Sequence, residues 1–156
     1  MTDEHHLLIV FHSRSGGTEA LADAVIAGAN DDDISDVAVR VRRALEADVD
    51  DVRWANAIIL GTPENFGYMS GALKDFFERI YHPCADRTAG LPYALVVKGD
   101  TDVDGAVASV ERIVTGLKWR PLAPPVTVVG GVTDHARAAA RDLGATVAAS
   151  LDAGII

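Results

Sequence analysis

The fold is decided near the start of the sequence by Leu7-Leu8-Ile9-Val10-Phe11, followed by His12-Ser13-Arg14-Ser15-Gly16-Gly17-Thr18. The first five residues form a continuous apolar run, which is typical of a strand buried on both faces of a sheet. A loop of glycine and hydroxyl residues follows, and apolar residues then recur at helical spacing between Leu21 and Ile26. This succession of buried strand, loop and helix predicts the first unit of a parallel α/β sheet.

The remainder of the chain repeats this alternation. Apolar runs at 57–61, 93–97 and 126–129 predict three more buried strands, and the alternating pattern at 37–41 predicts a half-covered edge strand. Helical patterns lie at 73–80, 107–117 and 133–151, with a disturbance of the last helix expected at Gly144, and residues 48–54 are expected to form a short helix or a turn. We therefore expect five parallel strands with helices on both faces of the sheet.

Composition restricts the class of protein. The formal net charge of −9 disfavours nucleic acid and anionic membrane surfaces as partners. The single cysteine, Cys84, excludes an intrachain disulfide and the usual zinc and iron–sulfur sites. The polar first six residues do not resemble a signal peptide, and no apolar run approaches the roughly 18 residues of a membrane span. We expect a cytoplasmic protein without a metal site.

The site is expected beyond the carboxyl ends of the strands, where open parallel sheets bind their ligands. The first loop there carries hydroxyl groups on Ser13, Ser15 and Thr18, and Gly16 and Gly17 leave room for close approach. The helix that follows would add a favourable dipole for a phosphate. The loop lacks the lysine of a P-loop and is not a GxGxxG loop. An ordinary turn with Thr18 as helix N-cap remains the alternative.

Ser13-Arg14-Ser15-Gly16-Gly17-Thr18, followed by Glu19, resembles the (Ser/Thr)-x-(Thr/Ser)-Gly-x-Thr-(Glu) phosphate loop of flavodoxins. In that family the loop also follows the first strand. The resemblance implies a flavodoxin-like, doubly wound parallel sheet with strand order 2-1-3-4-5, in one domain over residues 1–156. It also implies FMN as cofactor, with its phosphate in this loop.

The segment Gly61-Thr62-Pro63-Glu64-Asn65-Phe66-Gly67-Tyr68-Met69-Ser70-Gly71 strengthens the resemblance. It is similar to a segment of the flavodoxin-superfamily NAD(P)H:quinone oxidoreductases and FMN reductases. A flavin ring requires an aromatic or backbone wall and N–H donors along its polar edge. The resemblance therefore implies that the ring is contacted by Pro63, Glu64, Asn65, Phe66, Gly67 and Tyr68. Phe66 and Tyr68 would form the wall, unless either one packs on the following helix, and the backbone of residues 64–67 would supply donors.

The loop after the fourth strand begins Lys98-Gly99-Asp100-Thr101-Asp102. In the family this loop meets the pyrimidine side of the flavin, so the resemblance implies contacts from Gly99 and Asp100. Asp102 and Asp104 are interpreted as N-cap residues of the next helix. The spacing of acidic residues does not match a calcium-binding EF-hand loop.

Several other residues carry open alternatives. Arg14 is expected either to pair with the FMN phosphate, to meet an anionic nicotinamide cofactor, or to be solvated. His12 is expected to line the cleft or to form a hydrogen bond at the edge of the core. His5 and His6 are interpreted as a disordered terminus, and Pro83 as a helix stop.

Three functions remain open. The first is an FMN-dependent oxidoreductase that takes hydride from NAD(P)H and reduces a quinone, a flavin or another acceptor, with no catalytic side chain required. The second is a non-enzymatic electron carrier, for which a charge of −9 would steer a basic redox protein. The third is a flavin-free α/β regulatory domain. We favour the enzyme, because aromatic residues are absent from the loop after strand 4, and we leave a homodimer open.

Overall fold

A computed structural model of the chain describes residues 4–14 and 16–156. The strands are β1 His5–Phe11, β2 Val37–Arg43, β3 Ala57–Pro63, β4 Pro92–Gly99, β5 Arg120–Pro121 and β6 Val126–Val129. The helices are α1 Gly17–Ala29, α2 Val49–Trp54, α3 Gly71–Cys84, α4 Asp104–Gly116 and α5 Asp134–Asp152.

All strand pairs are parallel, and the order β2-β1-β3-β4-β5 confirms the predicted 2-1-3-4-5 sheet. The sixth strand was not predicted. It lies on the same edge of β4 as β5, because Pro92 pairs with Arg120 and Val96 pairs with Val126. β5 and β6 therefore occupy one position in the sheet, split by residues 122–125. Pro124 and Pro125 in this gap have no N–H to donate to a ladder, which explains the interruption.

The sheet carries a core on each face. α3 and α4 pack on one face around Leu8, Leu60, Phe76 and Val110. α1 and α5 pack on the other face around Ile9, Ile59, Leu21 and Val147. The continuous apolar runs of β1, β3 and β4 are thus explained, because successive side chains of one strand enter opposite cores.

The helices α1 and α5 are in very close contact, and this corrects one expectation. α5 runs without interruption from Asp134 to Asp152, so Gly144 does not disturb it. A Cβ on Gly144 would lie 2.1 Å from the carbonyl oxygen of Val25, and one on Gly28 would lie 1.9 Å from that of Arg141. Each helix therefore contributes a glycine that lets the backbone of the other approach.

Two smaller expectations are also corrected. His5 and His6 are not disordered, because both belong to β1. The His6 ring stacks on Trp54 with centroids 4.2 Å apart, and its Nδ1 lies 2.8 Å from the Trp54 carbonyl oxygen. Pro83 does not end α3, which continues to Cys84.

Within the described residues, none of the helices is both long enough and apolar enough to cross a membrane.

Candidate functional site

The three predicted loops meet at one edge of the sheet. β1, β3 and β4 are neighbours or next neighbours and run parallel, so their carboxyl ends face the same way. The loops that leave them begin at His12, Glu64 and Asp100. The structure therefore places the described residues of the three predicted loops at the same edge of the sheet.

The first loop leads into an uncapped helix. Gly16 is the N-cap of α1 with φ 61°, and no side chain among the described residues caps the helix. Thr18 is the second residue of α1 and is only 4 % exposed, so the interpretation of Thr18 as N-cap is wrong. The first N–H groups of a helix have no intrahelical acceptor. Without a side-chain cap, the first turn of α1 retains donors for a ligand.

Ser13 supplies an additional donor without a partner. Its hydroxyl oxygen is buried, and within the described part of the chain it makes no hydrogen bond. Buried polar groups are nearly always hydrogen-bonded, so an orphaned hydroxyl in this position indicates a missing partner. Ser15, the other serine predicted in this loop, lies outside the described residues.

Lys98, at the end of β4, was not predicted as a site residue. A Cβ placed on Gly17 would lie 3.0 Å from Lys98 Cε and 3.7 Å from Nζ. The side chain therefore crosses the first residue of α1, and its Nζ bonds to Asp100 Oδ1 at 3.0 Å. The sequence carried no signal for this contact, because residues 17 and 98 meet only through the pairing order of the sheet.

The second loop presents its aromatic residues on a tight turn. Asn65 and Tyr68 exchange two backbone hydrogen bonds, of 2.8 and 3.0 Å. The central residues Phe66 and Gly67 have φ 54° and 73°, both positive as in a type I′ turn. Phe66 is fully exposed and Tyr68 is 40 % exposed, so Phe66 does not pack on the following helix. Both rings are therefore accessible at this turn.

Most of the backbone donors expected from this turn are engaged within the chain. The Glu64 N–H donates to the Lys98 carbonyl oxygen, and the Asn65 N–H donates to the Tyr68 carbonyl oxygen. The Gly67 N–H donates to the Glu64 carboxylate. Among residues 64–67, Phe66 alone has an N–H without a partner in the described part of the chain.

Neighbouring contacts hold the second loop in place. The Ser70 N–H donates to Thr62 Oγ1 at 2.9 Å, and the Met69 N–H donates to Ser109 Oγ of α4 at 3.0 Å. A Cβ on Gly105 would lie 2.1 Å from the Gly67 carbonyl oxygen. The turn is thus pressed against the first turn of α4.

The third loop is organised by its own carboxylates. Gly99 ends β4, and Asp100 is 94 % exposed where it pairs with Lys98. Asp102 Oδ1 accepts from the N–H groups of Val103 and Asp104, at 2.7 and 3.0 Å. The N-cap of α4 is Val103, so neither Asp102 nor Asp104 is the N-cap residue.

Cationic side chains surround the first loop. Arg14 is exposed, and Arg43 Nη2 lies 2.9 Å from Glu19 Oε1 in the first turn of α1. Burial lowers the pKa of His12, and the charges of Arg14 and Arg43 lower it further. His12, the first residue after β1, therefore favours the neutral form.

Two other features lie away from the cleft. Cys84 is buried at the end of α3, and burial raises the pKa of its thiol. A cavity of about 400 Å³ lies at the break in the fifth strand position, beside Tyr93, Glu111 and Pro124. It is larger than the other cavities described, but none of the predicted cofactor-binding residues lines it.

Comparison with known proteins identifies the family of the chain. The sequence model of the NADPH-dependent FMN reductase family matches residues 20–134, which is well over half of the chain. A flavodoxin of Aquifex aeolicus is 32 % identical over 74 residues, covering 47 % of this chain and 39 % of the relative. An NAD(P)H dehydrogenase (quinone) of Acidithiobacillus ferrooxidans is 32 % identical over 93 residues, covering 47 % of this chain and 46 % of the relative. The chain thus spans less than half the length of these curated relatives.

Among solved structures, a flavodoxin from the domain Archaea superposes with a TM-score of 0.81 at 19 % identity. The match covers 94 % of this chain and 98 % of that one. At this identity the likeness concerns the fold, which is flavodoxin-like. The family match over residues 20–134 shows that the chain belongs to the NADPH-dependent FMN reductase family.

Proposed function

We propose that the chain binds FMN as a redox cofactor, with the phosphate held at the first turn of α1 by the loop of residues 13–18. This proposal is carried by the buried hydroxyl of Ser13, which has no hydrogen-bond partner among the described residues, and by the start of α1, which no described side chain caps. The arrangement fits a phosphate, which accepts several hydrogen bonds and is favoured by a helix N-terminus.

The ring would extend from this phosphate towards the turn at Phe66. Phe66 and Tyr68 would supply apolar contact, and the free N–H of Phe66 would supply a donor. Gly99 ends β4 and Asp100 follows it, and these two residues would meet the polar edge of the ring.

We further propose an oxidoreductase that passes hydride from NAD(P)H to a quinone, a flavin or another small acceptor. Bound FMN supplies the hydride chemistry at N5, and the chain positions the ring and leaves one face accessible. Residues 99–104 contain no aromatic side chain, which supports an open face for a second substrate. Family membership supports the same reading.

A flavodoxin-type electron carrier is the second candidate. It is favoured by the net charge of −9 and by the fully exposed Phe66 at the cleft, since a redox protein could dock there. The carrier would exchange electrons with a basic protein and would not react with a nicotinamide.

The test is an anaerobic reduction followed in the visible spectrum. The purified protein is reconstituted with FMN, freed of excess flavin, and mixed with NADPH or NADH. Bleaching of the bound-flavin bands, followed by reoxidation on adding a quinone, is the expected result. A flavin that stays oxidised with both nicotinamides but accepts electrons from a reductase protein would favour the carrier.

Failure of the chain to bind FMN at micromolar concentration would overturn both proposals. It would leave the flavin-free regulatory domain as the remaining reading of the fold.

A further inference from the structure

We infer that Lys98 is a ligand of the cofactor phosphate, and that it makes this site selective for a flavin carrying a terminal phosphomonoester. The inference rests on the proposed FMN site and concerns a residue outside the glycine–serine loop. The Lys98 side chain lies across Gly17 at the start of α1, it is largely buried, and its partner is an exposed carboxylate.

The Lys98 side chain is held at the start of α1. Only 18 % of it is exposed, compared with 65 % for Lys118, which pairs with an aspartate in the same way. The space that a Cβ of Gly17 would occupy lies 3.0 Å from Lys98 Cε. The absence of a side chain at position 17 therefore lets the lysine stem lie across the helix end.

This placement is electrostatically unfavourable without an anion. The N-terminus of a helix carries a partial positive charge, so a cation beside it is repelled. The partner of Lys98 in the structure is Asp100, a carboxylate that is 94 % exposed, and ion pairs with such exposed groups contribute little. An anion placed between Lys98 and α1 would convert this repulsion into two attractions.

A phosphomonoester has the chemistry that these groups require. It carries a charge of about −1.5 to −2 at neutral pH and three terminal oxygens. Those oxygens are enough to accept from the first-turn amides, from the orphaned Ser13 hydroxyl and from the Lys98 ammonium at once. The ammonium would exchange Asp100 for the phosphate while its stem stays across Gly17.

The consequence is discrimination between FMN and riboflavin, which differ only in this phosphate. The test compares the affinity of the wild type and Lys98→Met for both flavins by quenching of flavin fluorescence. Loss of one charge-assisted hydrogen bond is expected to weaken FMN binding about tenfold. Riboflavin binding is expected to change less than about twofold, because riboflavin has no group for Lys98.

A second readout uses inorganic phosphate and the flavin-free protein. Phosphate is expected to raise the melting temperature of the wild type and to raise that of Lys98→Met less. Lys118→Met is the control, because Lys118 also pairs with an exposed aspartate, with its Nζ 3.1 Å from Asp86 Oδ1, but its own side chain is exposed. It should leave both flavin affinities and the phosphate effect unchanged, and Lys98→Arg should restore part of the loss.

Equal weakening of FMN and riboflavin by Lys98→Met, or no weakening of either, would overturn the role of Lys98. If Lys98→Met does not fold, Lys98→Gln replaces it with the same expected outcomes. A wild type that binds phosphate but no FMN would overturn the proposed function, while the phosphate readout would still test Lys98.

Discussion

At the scale of single residues, the buried hydroxyl of Ser13 lowers the stability of the protein but would strengthen the binding of a phosphate. A buried hydroxyl without a partner has lost its hydrogen bonds to water, and such a loss costs about 1–3 kcal/mol. The same hydroxyl would gain a charged acceptor when phosphate binds. The flavin-free protein would therefore carry a local cost that a bound phosphate would remove.

We predict that Ser13→Ala raises the free energy of unfolding of the flavin-free protein by about 1 kcal/mol and weakens FMN binding about tenfold. Urea unfolding and fluorescence titration measure the two effects. Ser109→Ala is the control, since Ser109 Oγ accepts from the Met69 N–H and donates to the Ala106 carbonyl oxygen. It should destabilise the protein, and destabilisation by Ser13→Ala as well would contradict the prediction.

His12 makes stability depend on pH. Burial and the charges of Arg14 and Arg43 lower its pKa in the folded state below the ordinary value near 6.5, so the unfolded chain binds the proton more readily. Stability rises with pH wherever the unfolded state holds more protons. The contribution of His12 is therefore complete above about pH 6.5 and is lost as the pH falls through the folded pKa.

We predict that His12→Gln flattens the decline in unfolding free energy between about pH 7 and pH 5. Urea unfolding across this range gives the slope for each variant. His135→Gln in the exposed first turn of α5 serves as the comparison. A wild-type slope retained by His12→Gln would show that another group is responsible.

At the scale of secondary-structure elements, the main feature is the close contact of α1 with α5. Gly28 and Gly144 each face a backbone carbonyl of the other helix, so an added methyl group would meet main-chain atoms that cannot rotate away. The two helices must separate to accommodate it. Separation would loosen the core on that face of the sheet and the position of the α1 N-terminus.

We predict that Gly28→Ala or Gly144→Ala lowers the free energy of unfolding by about 1–3 kcal/mol, despite the better helix propensity of alanine. Gly71→Ala is the matched control, because its Cβ would meet nothing within 4 Å in the first turn of α3. Chemical denaturation should show Gly71→Ala unchanged or stabilised. Similar behaviour of all three variants would contradict the close contact.

The sequence predicted those elements whose signal is local. β1, β3 and β4 were predicted because a strand buried on both faces is apolar throughout, and α3 because Leu73, Phe76, Phe77 and Ile80 share one face. β5 has two residues and no periodicity, and the glycine contacts of α5 depend on a distant helix. The serine loop was likewise predicted because its residues are adjacent in the sequence. Lys98 was not predicted, because only the strand order of the sheet brings it to that loop.

At the scale of the whole molecule, the net charge of −9 opposes compactness through self-repulsion. Exposed ion pairs such as Lys74–Glu78 and Arg79–Asp75 offset little of it. Salt weakens both the attraction within these ion pairs and the repulsion due to the net charge, but the repulsion acts over the whole surface.

We predict that raising NaCl from about 10 to 150 mM increases the melting temperature, because screening shortens the Debye length from about 30 to 8 Å. Each kcal/mol gained corresponds to roughly 2–4 °C in a chain of this size. NaCl is chosen because phosphate would also occupy the proposed site. A fall in melting temperature would show that attractive pairs outweigh the net charge.

The paired glycines of α1 and α5 also have a consequence for biosynthesis. α1 leaves the ribosome early, yet the surface that carries Gly28 stays uncovered until residues 134–152 have been added. Translation of those 19 residues takes about 1–4 s at cellular rates. The nascent chain can therefore pair its first strands and cover one face of the sheet while the other face still lacks α5. A chaperone would be expected to act on this uncovered face.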